Sequence, residues 1–264
     1  CSIGAVICYM LCYHMTTERV KVEQNTQKFS FKELISEIAH NKALIGIIVC
    51  ALLFLLAQLS LSNMNNYIYP NYFGNVSAMS LANLAGMVVI LVLSTFIVKL
   101  SAKVGKKELS VIGSIISAAA FLILFFIHTD NVWVWIVLVL ISSVGTAMFN
   151  MVIWAMITDV IDDSEVRTGV RQDGTIYSVY SFARKLGQAC SSGISGVLLS
   201  IIGYTAATAH DPKVVDGIYN VTCLVPALGM ILLFLALQFL YPLNKKRVEE
   251  NAKILKERRE AKVQ

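Results

Sequence analysis

Long apolar segments separated by short polar breaks make up most of the chain. Six of them are long enough to cross a bilayer as helices, which takes ~20 residues. They are 43–69, 79–100, 109–127, 132–158, 176–203 and 217–241. This pattern predicts an all-α integral membrane protein with a six-helix bundle over residues 43–241.

The two ends of the chain depart from this pattern. Residues 1–13 are apolar but too short to span a bilayer, and they lack the basic start and cleavage site of a signal peptide. We interpret them as the end of a truncated transmembrane helix, and expect the chain to be the C-terminal part of a protein about twice as long. Residues 242–264 form a polar tail.

Residues 14–42 form a polar connector between the first segment and the bundle. Within it, Ser30 and Glu33 have the spacing of a helix-capping pair. The apolar residues that follow at helical spacing are Phe31, Leu34, Ile35 and Ile38. This pattern predicts a short amphipathic helix on the membrane surface, with a partner-binding helix as the alternative.

The composition agrees with a membrane protein. The chain is 56% hydrophobic and 15% charged, against ~25% charged in a typical soluble domain. Its net charge of +5 is unevenly distributed, which favours oriented insertion and argues against nucleic-acid binding. The six cysteines include no C-x-x-C pair, and most lie in apolar runs, as buried small residues do.

Basic residues predict the orientation. The connector holds five, residues 101–108 three, residues 159–175 two and the tail eight, which makes 18. The alternate loops, 70–78, 128–131 and 204–216, hold one, Lys213. Basic loops stay on the cytoplasmic side. We therefore expect a multi-pass protein of the cell membrane with a cytoplasmic C-terminus.

Segment 176–203 carries a polar stripe along one helix face, at spacings of three and four: Ser178, Ser181, Lys185, Gln188, Ser192 and Ser195. Lys185 stands nine positions past the segment start, ~13 Å deep along a helix. A base at that depth is costly and indicates a solute pathway, with a structural ion pair as the alternative. Arg184 points ~100° away, so we expect it to reach the interface or to pair with a loop acid.

Two further candidates lie on other segments. Asn150 follows Ser143 and Thr146 at helical spacing and could bind a polar solute, or join helices. Segment 43–69 ends in a polar, aromatic stretch in which Tyr67 could stack on a sugar ring, although a belt of interfacial aromatics explains it as well.

A cluster of charges follows segment 132–158. Asp159, Asp162 and Glu165 stand at i, i+3 and i+6, and Arg171 and Asp173 follow after Gly169. Lys103 of the basic loop could reach this cluster. We predict a salt-bridge gate that joins two bundles at the cytoplasmic side, with a solvated turn as the alternative.

The cluster lacks the alternating acids of a calcium loop, so no metal site is expected in this half. The sequence has no nucleophile–base constellation, glycine-rich phosphate loop or metal-ligand spacing. An enzyme is therefore not expected, nor is a cofactor.

The run D-x-x-D-x-x-E-x-x-T-G-x-R-x-D-G-x-x-Y-S from Asp159, continued by S-F-x-x-K-x-G-Q-A, resembles the glycoside–pentoside–hexuronide:cation symporter family of the major facilitator superfamily. The sequence departs from the family at Asp163, where an aromatic residue is usual, at Val166 and at Asp173. These departures concern the geometry of the gate.

The resemblance implies a transporter of two six-helix bundles, of which this chain is the second bundle with the end of the preceding helix. The acids that bind Na⁺, Li⁺ or H⁺ would lie mainly in the missing N-terminal bundle. Lys185 would face that cation site, and Ser181 would lie near the sugar. The implied partners are a sugar, a coupling cation, the lipid bilayer and the N-terminal bundle.

Three hypotheses stay open. The first is a cation-coupled sugar symporter working by alternating access. The second is a carrier of lysolipid or another polar solute from the same superfamily, for which the polar stripe is less suited. The third is a stand-alone membrane half that acts as an assembly or regulatory partner.

Overall fold

The computed structural model describes residues 2–16 and 41–263, and every regular element in these two ranges is helical. The α-helices are α1 (Ser2–Met15), α2 (Lys42–Tyr67), α3 (Val76–Val104), α4 (Lys106–Ile127), α5 (Val132–Thr168), α6 (Asp173–Ile201), α7 (Pro212–Leu235) and α8 (Lys245–Val263). Helix α1 belongs to one unit, and α2 to α8 form another. The amphipathic helix predicted at 30–38 lies outside the described residues.

Five helices in the described ranges are long and apolar enough to cross a membrane. They are Lys42–Tyr72, Val76–Val104, Lys106–Ile127, Val132–Thr168 and Pro212–Leu240, where single π-helical turns extend α2 and α7. Helix α6 has 29 residues, which is sufficient length, but its polar stripe and two bases make it less apolar than the others. A helix with one polar face suits a position where that face meets other helices or a cavity.

The ends of the helices follow local chemistry. The side-chain oxygens of Asn41, Asn75 and Asn131 accept hydrogen bonds from the first backbone N–H groups of α2, α3 and α5. Gly105 has φ 112° where α3 meets α4, and Gly169 has φ 77° where α5 ends. Glycine adopts such angles without a side-chain clash, so the chain turns there.

Helix α5 runs ten residues past the predicted end at 158. The acids of the predicted loop at 159–175, from Asp159 to Glu165, are therefore helical. Hydropathy falls at 159 because the side chains become charged, but the backbone hydrogen bonds of the helix continue until Gly169. Only residues 169–172 connect α5 to α6.

The closest helix packing is between α4 and α5, where two glycines face each other. A Cβ atom on Gly113 would lie 2.5 Å from the carbonyl oxygen of Gly145, and a Cβ atom on Gly145 would also be too close to the carbonyl oxygen of Gly113. One turn away, the hydroxyls of Ser117 and Ser142 share a 2.7 Å hydrogen bond. Small residues allow this approach, which is a common way to join helices in membranes.

Aromatic side chains fill the core at two levels. Phe54 of α2 packs edge-on against Phe149 of α5, with ring centroids 4.9 Å apart. Towards the other end, Trp135 of α5 and Tyr219 of α7 lie 5.4 Å apart. Helix α3 contributes little to this core, because only Ala78, Ala82 and Ile97 of its residues are buried.

The predicted polar tail contains a helix of 19 residues, α8, which packs against α4 and α5. The turn from α3 to α4, the C-terminal part of α5 and helix α8 therefore lie together. We call this the charged end of the bundle.

We predict that Gly145→Ala lowers the thermal stability of the bundle. The added methyl group would contact backbone atoms of α4, and overpacking of this kind costs about 1–3 kcal/mol. The melting temperature of the purified protein in detergent measures the effect. Gly193→Ala is the matched control, because a Cβ atom there meets open space. Equal melting temperatures for the two variants would contradict the proposed packing constraint.

Candidate functional site

Arg171 organises the connector between α5 and α6. Its guanidinium donates to Asp162, Glu165 and Asp173, each at 2.8 Å. Burial lowers the pKa of Arg171, but hydrogen bonds to Glu165, Asp162 and Asp173 outweigh that effect and raise the pKa above its usual value. Arg171 therefore stays charged, and the three carboxylates are held by one side chain.

Asp159 is buried one turn before this cluster and pairs with Lys106, whose Nζ lies 2.7 Å from Oδ1 of Asp159. The sequence hypothesis assigned Lys103 to the gate, and here the structure differs. The exposed Lys103 side chain forms no ion pair within residues 2–16 and 41–263. The reason is the turn at Gly105, which places Lys106 at the start of α4, facing α5.

Asp163 is the most buried acid of the charged end, with 2% of its surface exposed. Arg167 donates to one of its carboxylate oxygens at 3.1 Å, and Arg247 and Asn251 of α8 donate to the other at 3.2 and 3.1 Å. The carboxylate has lost most of its water but has three donors in its place. Asp163 thus joins α5 to α8.

Two more arginines of α8 reinforce this contact. Arg258 donates to the backbone carbonyls of Glu165 and Val166, and Arg259 lies 3.6 Å from the carboxylate of Glu165. Sequence reasoning missed this role of the tail. Two features of the sequence could have indicated the contact between the tail and α5. One is the density of bases in 242–264, and the other is the acid Asp163 on the face of α5 opposite the Arg171 cluster.

The polar stripe of α6 divides into two parts. Its last member, Ser195, accepts a hydrogen bond from Asn63 of α2 at 3.1 Å, and Ser191, which lies outside the stripe, is 3.5 Å from Ser60 of α2. Gly187 also packs against α2, since a Cβ atom there would lie 2.9 Å from Leu52. These positions join α6 to α2 and do not line an open path.

The other part of the stripe is accessible. Lys185 is exposed, and its Nζ donates to Oε1 of Gln188 at 3.3 Å. Ser181, one turn earlier, is half-buried. In the described part of the chain Lys185 has no carboxylate partner. Lys185, Ser181 and Gln188 therefore form an open polar surface on α6.

A cavity of about 240 Å³ lies between α2, α3, α5 and α7. Its polar lining residues are Gln58, Ser62, Asn65, Tyr69, Asn83, Ser142, Ser143 and Thr146. The side-chain oxygen of Asn65 is buried there without a hydrogen-bond partner in the described ranges. Such a cavity can accept a polar solute or water.

The remaining candidates are not gathered around this cavity. Asn150 is exposed on α5, one turn beyond Thr146. Tyr67 is half-buried and packs edge-on against Tyr204 at 5.0 Å, as an interfacial aromatic does. Tyr69, by contrast, is almost fully buried beside the cavity.

Arg184 forms no ion pair with an acid of residues 2–16 or 41–263, and its side chain is half-buried. Its guanidinium lies over the ring of Trp154, with Cζ 4.8 Å from the ring centroid, and 5.8 Å from the ring of Tyr180. Within the described residues the aromatic side chains of α5 and α6, and not a loop acid, hold the group.

No group of three or more His, Cys, Asp or Glu side chains in the described ranges is placed to hold a metal ion. The acids from Asp159 to Asp173 are instead paired with bases. The side chains of the described residues can therefore bind polar groups and form ion pairs.

Comparison with known proteins relates the chain to sugar transporters. Residues 2–245 match the family described as MFS/sugar transport protein. Uncharacterized symporter YjmB of Bacillus subtilis is 31% identical over 90% of this chain and 52% of that protein. A glucuronide carrier protein homolog of Escherichia coli is 30% identical over 94% of this chain and 54% of that protein.

The isoprimeverose transporter of Lactiplantibacillus pentosus is 25% identical over 95% of this chain and 54% of that protein. The chain spans about half the length of the relatives it matches.

We predict that Asp163→Ala destabilises the protein by about 3–5 kcal/mol, as removal of one partner from a buried ion pair does. The substitution would leave Arg247 and Asn251 without their acceptor, so α8 should separate from α5. Thermal unfolding and limited proteolysis within α8 measure the two effects.

Asp173→Ala is the control for this experiment. It removes an acid from the same end, but one whose side chain is 56% exposed, so a change within about 1 kcal/mol is expected. Equal effects of the two substitutions would show that burial of Asp163 does not stabilise α8.

Proposed function

The chain belongs to the MFS/sugar transport protein family, within its glycoside–pentoside–hexuronide symporters, and we propose that it forms the C-terminal half of a cation-coupled sugar symporter. The observation that carries the proposal is Lys185. This base is exposed on the polar face of a membrane-length helix, and its contact in the described part of the chain is the neutral Gln188.

A base on a membrane-length helix is costly without a polar neighbour, so Lys185 needs a carboxylate, a solute or water beside it. The acids of α5 are held by other bases at the charged end, as Asp159 is by Lys106. We infer that the partner is a carboxylate of the N-terminal bundle. A cation that replaced Lys185 at that carboxylate would couple ion binding to sugar binding.

Alternating access requires that ligands bind the two states of the protein with different affinities. In the proposed cycle, the cation and the sugar together change the pairing of Lys185, and α6 moves relative to the N-terminal bundle. The Arg171 cluster joins the ends of α5 and α6, so these two helices would move together. Pairing of this charged end with the other bundle would close the cytoplasmic side.

A sugar is the proposed solute. The cavity between α2, α3 and α5 has amide and hydroxyl groups such as Gln58, Asn65 and Thr146, which suit the hydroxyls of a sugar. The open polar surface of α6 at Lys185 and Gln188 is unsuited to an acyl chain, which argues against a lysolipid carrier. The relatives named as a glucuronide carrier homolog and an isoprimeverose transporter also favour a sugar.

We predict that Lys185→Ala in the full-length protein reduces cation-driven sugar accumulation at least about tenfold, because a first-bundle carboxylate would lose its partner. Lys185→Arg should keep only part of the wild-type transport, since a planar guanidinium group does not replace a compact ammonium group. Uptake of labelled sugar into proteoliposomes with an imposed Na⁺ or H⁺ gradient is the measurement.

Lys99→Ala is the matched control, because it removes an exposed base from another membrane-length helix, α3. Its transport should stay near the wild-type rate. Full accumulation by Lys185→Ala at equal protein levels would exclude the coupling role and leave Lys185 with a structural one.

The proposed orientation has its own test. A single cysteine at Thr129, in an otherwise cysteine-free protein, should react with an impermeant maleimide added outside intact cells. A cysteine at Lys256 on α8 should react only after the cells are opened. The reverse pattern at either position would contradict the assigned orientation.

A further inference from the structure

Helix α2 presents polar side chains on two of its sides. On one side Gln58, Ser62 and Asn65 stand at i, i+4 and i+7 and line the cavity. On another side Asn63 faces α6. At ~100° per residue in an α-helix, Asn63 is rotated by ~100° from Ser62 and by ~200° from Asn65. Helix α2 therefore lies between the proposed sugar cavity and the helix that carries Lys185.

The contact of Asn63 with α6 is a chain of two hydrogen bonds. Its Nδ2 donates to Oγ of Ser195 at 3.1 Å, and this hydroxyl donates to the backbone carbonyl of Ser191 at 3.0 Å. Ser195 and Ser191 are 5% and 0% exposed. A buried hydroxyl that lost its donor would cost free energy, so this contact holds α6 in one register against α2.

Helix α6 has little other support in the described part of the chain. It packs mainly against α2 and makes little contact with α5. The Arg171 cluster holds only the start of α6. A shift in the middle of α6, where Lys185 stands, is therefore transmitted first to α2. Ser195 stands ten residues beyond Lys185, ~15 Å along the same continuous helix.

A shift of α2 would change the proposed sugar cavity. Gln58 and Asn65 belong to the wall that α2 supplies, and Ser143 and Thr146 belong to the wall of α5. The hydroxyls of Ser143 and Thr146 donate to backbone carbonyls of α5 at 2.9 and 3.1 Å, so they stay with that helix. The distance between the two walls, and with it the affinity for a solute that contacts both, depends on the position of α2.

We propose that Asn63 is a positioning residue that couples the cation-dependent pairing of Lys185 to the affinity for sugar, through its hydrogen bond to Ser195. The bond keeps α6 and the α2 wall of the cavity together, so a change at Lys185 reaches Gln58 and Asn65. In this role Asn63 contacts neither the sugar nor the cation. The inference rests on the proposed cation-coupled sugar transport.

The test measures sugar binding to the full-length protein by isothermal titration calorimetry. The probes are D-xylose, methyl β-D-glucoside and methyl β-D-glucuronide, each titrated before and after addition of Na⁺ and at two values of pH. The ratio of the two dissociation constants is the coupling factor. Asn63→Leu should lower this factor by about 2–30-fold, the range seen for mutations along coupling networks. The affinity without the cation should change by less than about threefold.

Ser195→Ala completes a double-mutant cycle. It should give the same loss of coupling as Asn63→Leu, and the double variant should lose no more than either single one, because both remove one hydrogen bond. The small change at Ser195 keeps the test available even if Asn63→Leu does not fold. Asn66→Leu is the matched control, since this exposed amide donates only to carbonyls of its own helix.

Four results would overturn the inference. Equal losses of affinity with and without the cation would leave Asn63 with a structural role, and additive losses in the double variant would show that the hydrogen bond does not carry the effect. A wild type that binds sugar equally well with and without either cation would reject the coupling itself. A wild type that binds none of the probes or a wider panel of sugars would reject the proposed function.

Discussion

Removing an ionisable side chain from water costs several kcal/mol, and this constraint arranges the whole bundle. Where the C-terminal part of α5 buries a charge, the structure supplies a partner. Asp159 has Lys106, and Asp163 has Arg167 and Arg247. These pairs join α4, α5 and α8, so electrostatic pairing and helix packing support each other at this end of the molecule.

Neither base of α6 has a carboxylate partner in the described part of the chain. Lys185 has a neutral contact with Gln188, and Arg184 lies against aromatic rings. Both differ from the bases that hold α8 in place, which reach carboxylates or backbone carbonyls. A base that is positioned but not paired within its own bundle is suited to an acidic group from elsewhere, whether from a second bundle or from a solute.

Helix continuity gives the charged end its geometry. Because α5 continues to Thr168, Asp159 and Asp163 lie one turn apart, and Asp162 projects towards Arg171. A flexible loop would not hold these directions. The four-residue connector then places α6 directly after the cluster. A change in the ion pairs of Arg171 would therefore shift α6 and, with it, Lys185.

Much of this structure could be predicted from the sequence. Apolar segments of bilayer length predicted the helices, because their backbones must satisfy hydrogen bonds internally in lipid. The Asp159–Asp173 motif predicted a charge cluster, and helical spacing predicted the polar face that holds Lys185. These features depend on neighbours within about one or two turns, which the order of residues determines directly.

Pairings between distant parts of the chain were decided only by the tertiary structure. The contact of α8 with Asp163, the choice of Lys106 over Lys103, and the position of Arg184 on Trp154 each join residues 30 or more apart in sequence or depend on a turn angle at Gly105. Spacing along one helix cannot supply them, because they arise from how separate helices rotate and pack. For the same reason the α6 stripe alone could not distinguish Ser195, which joins α6 to α2, from Lys185, which stays open.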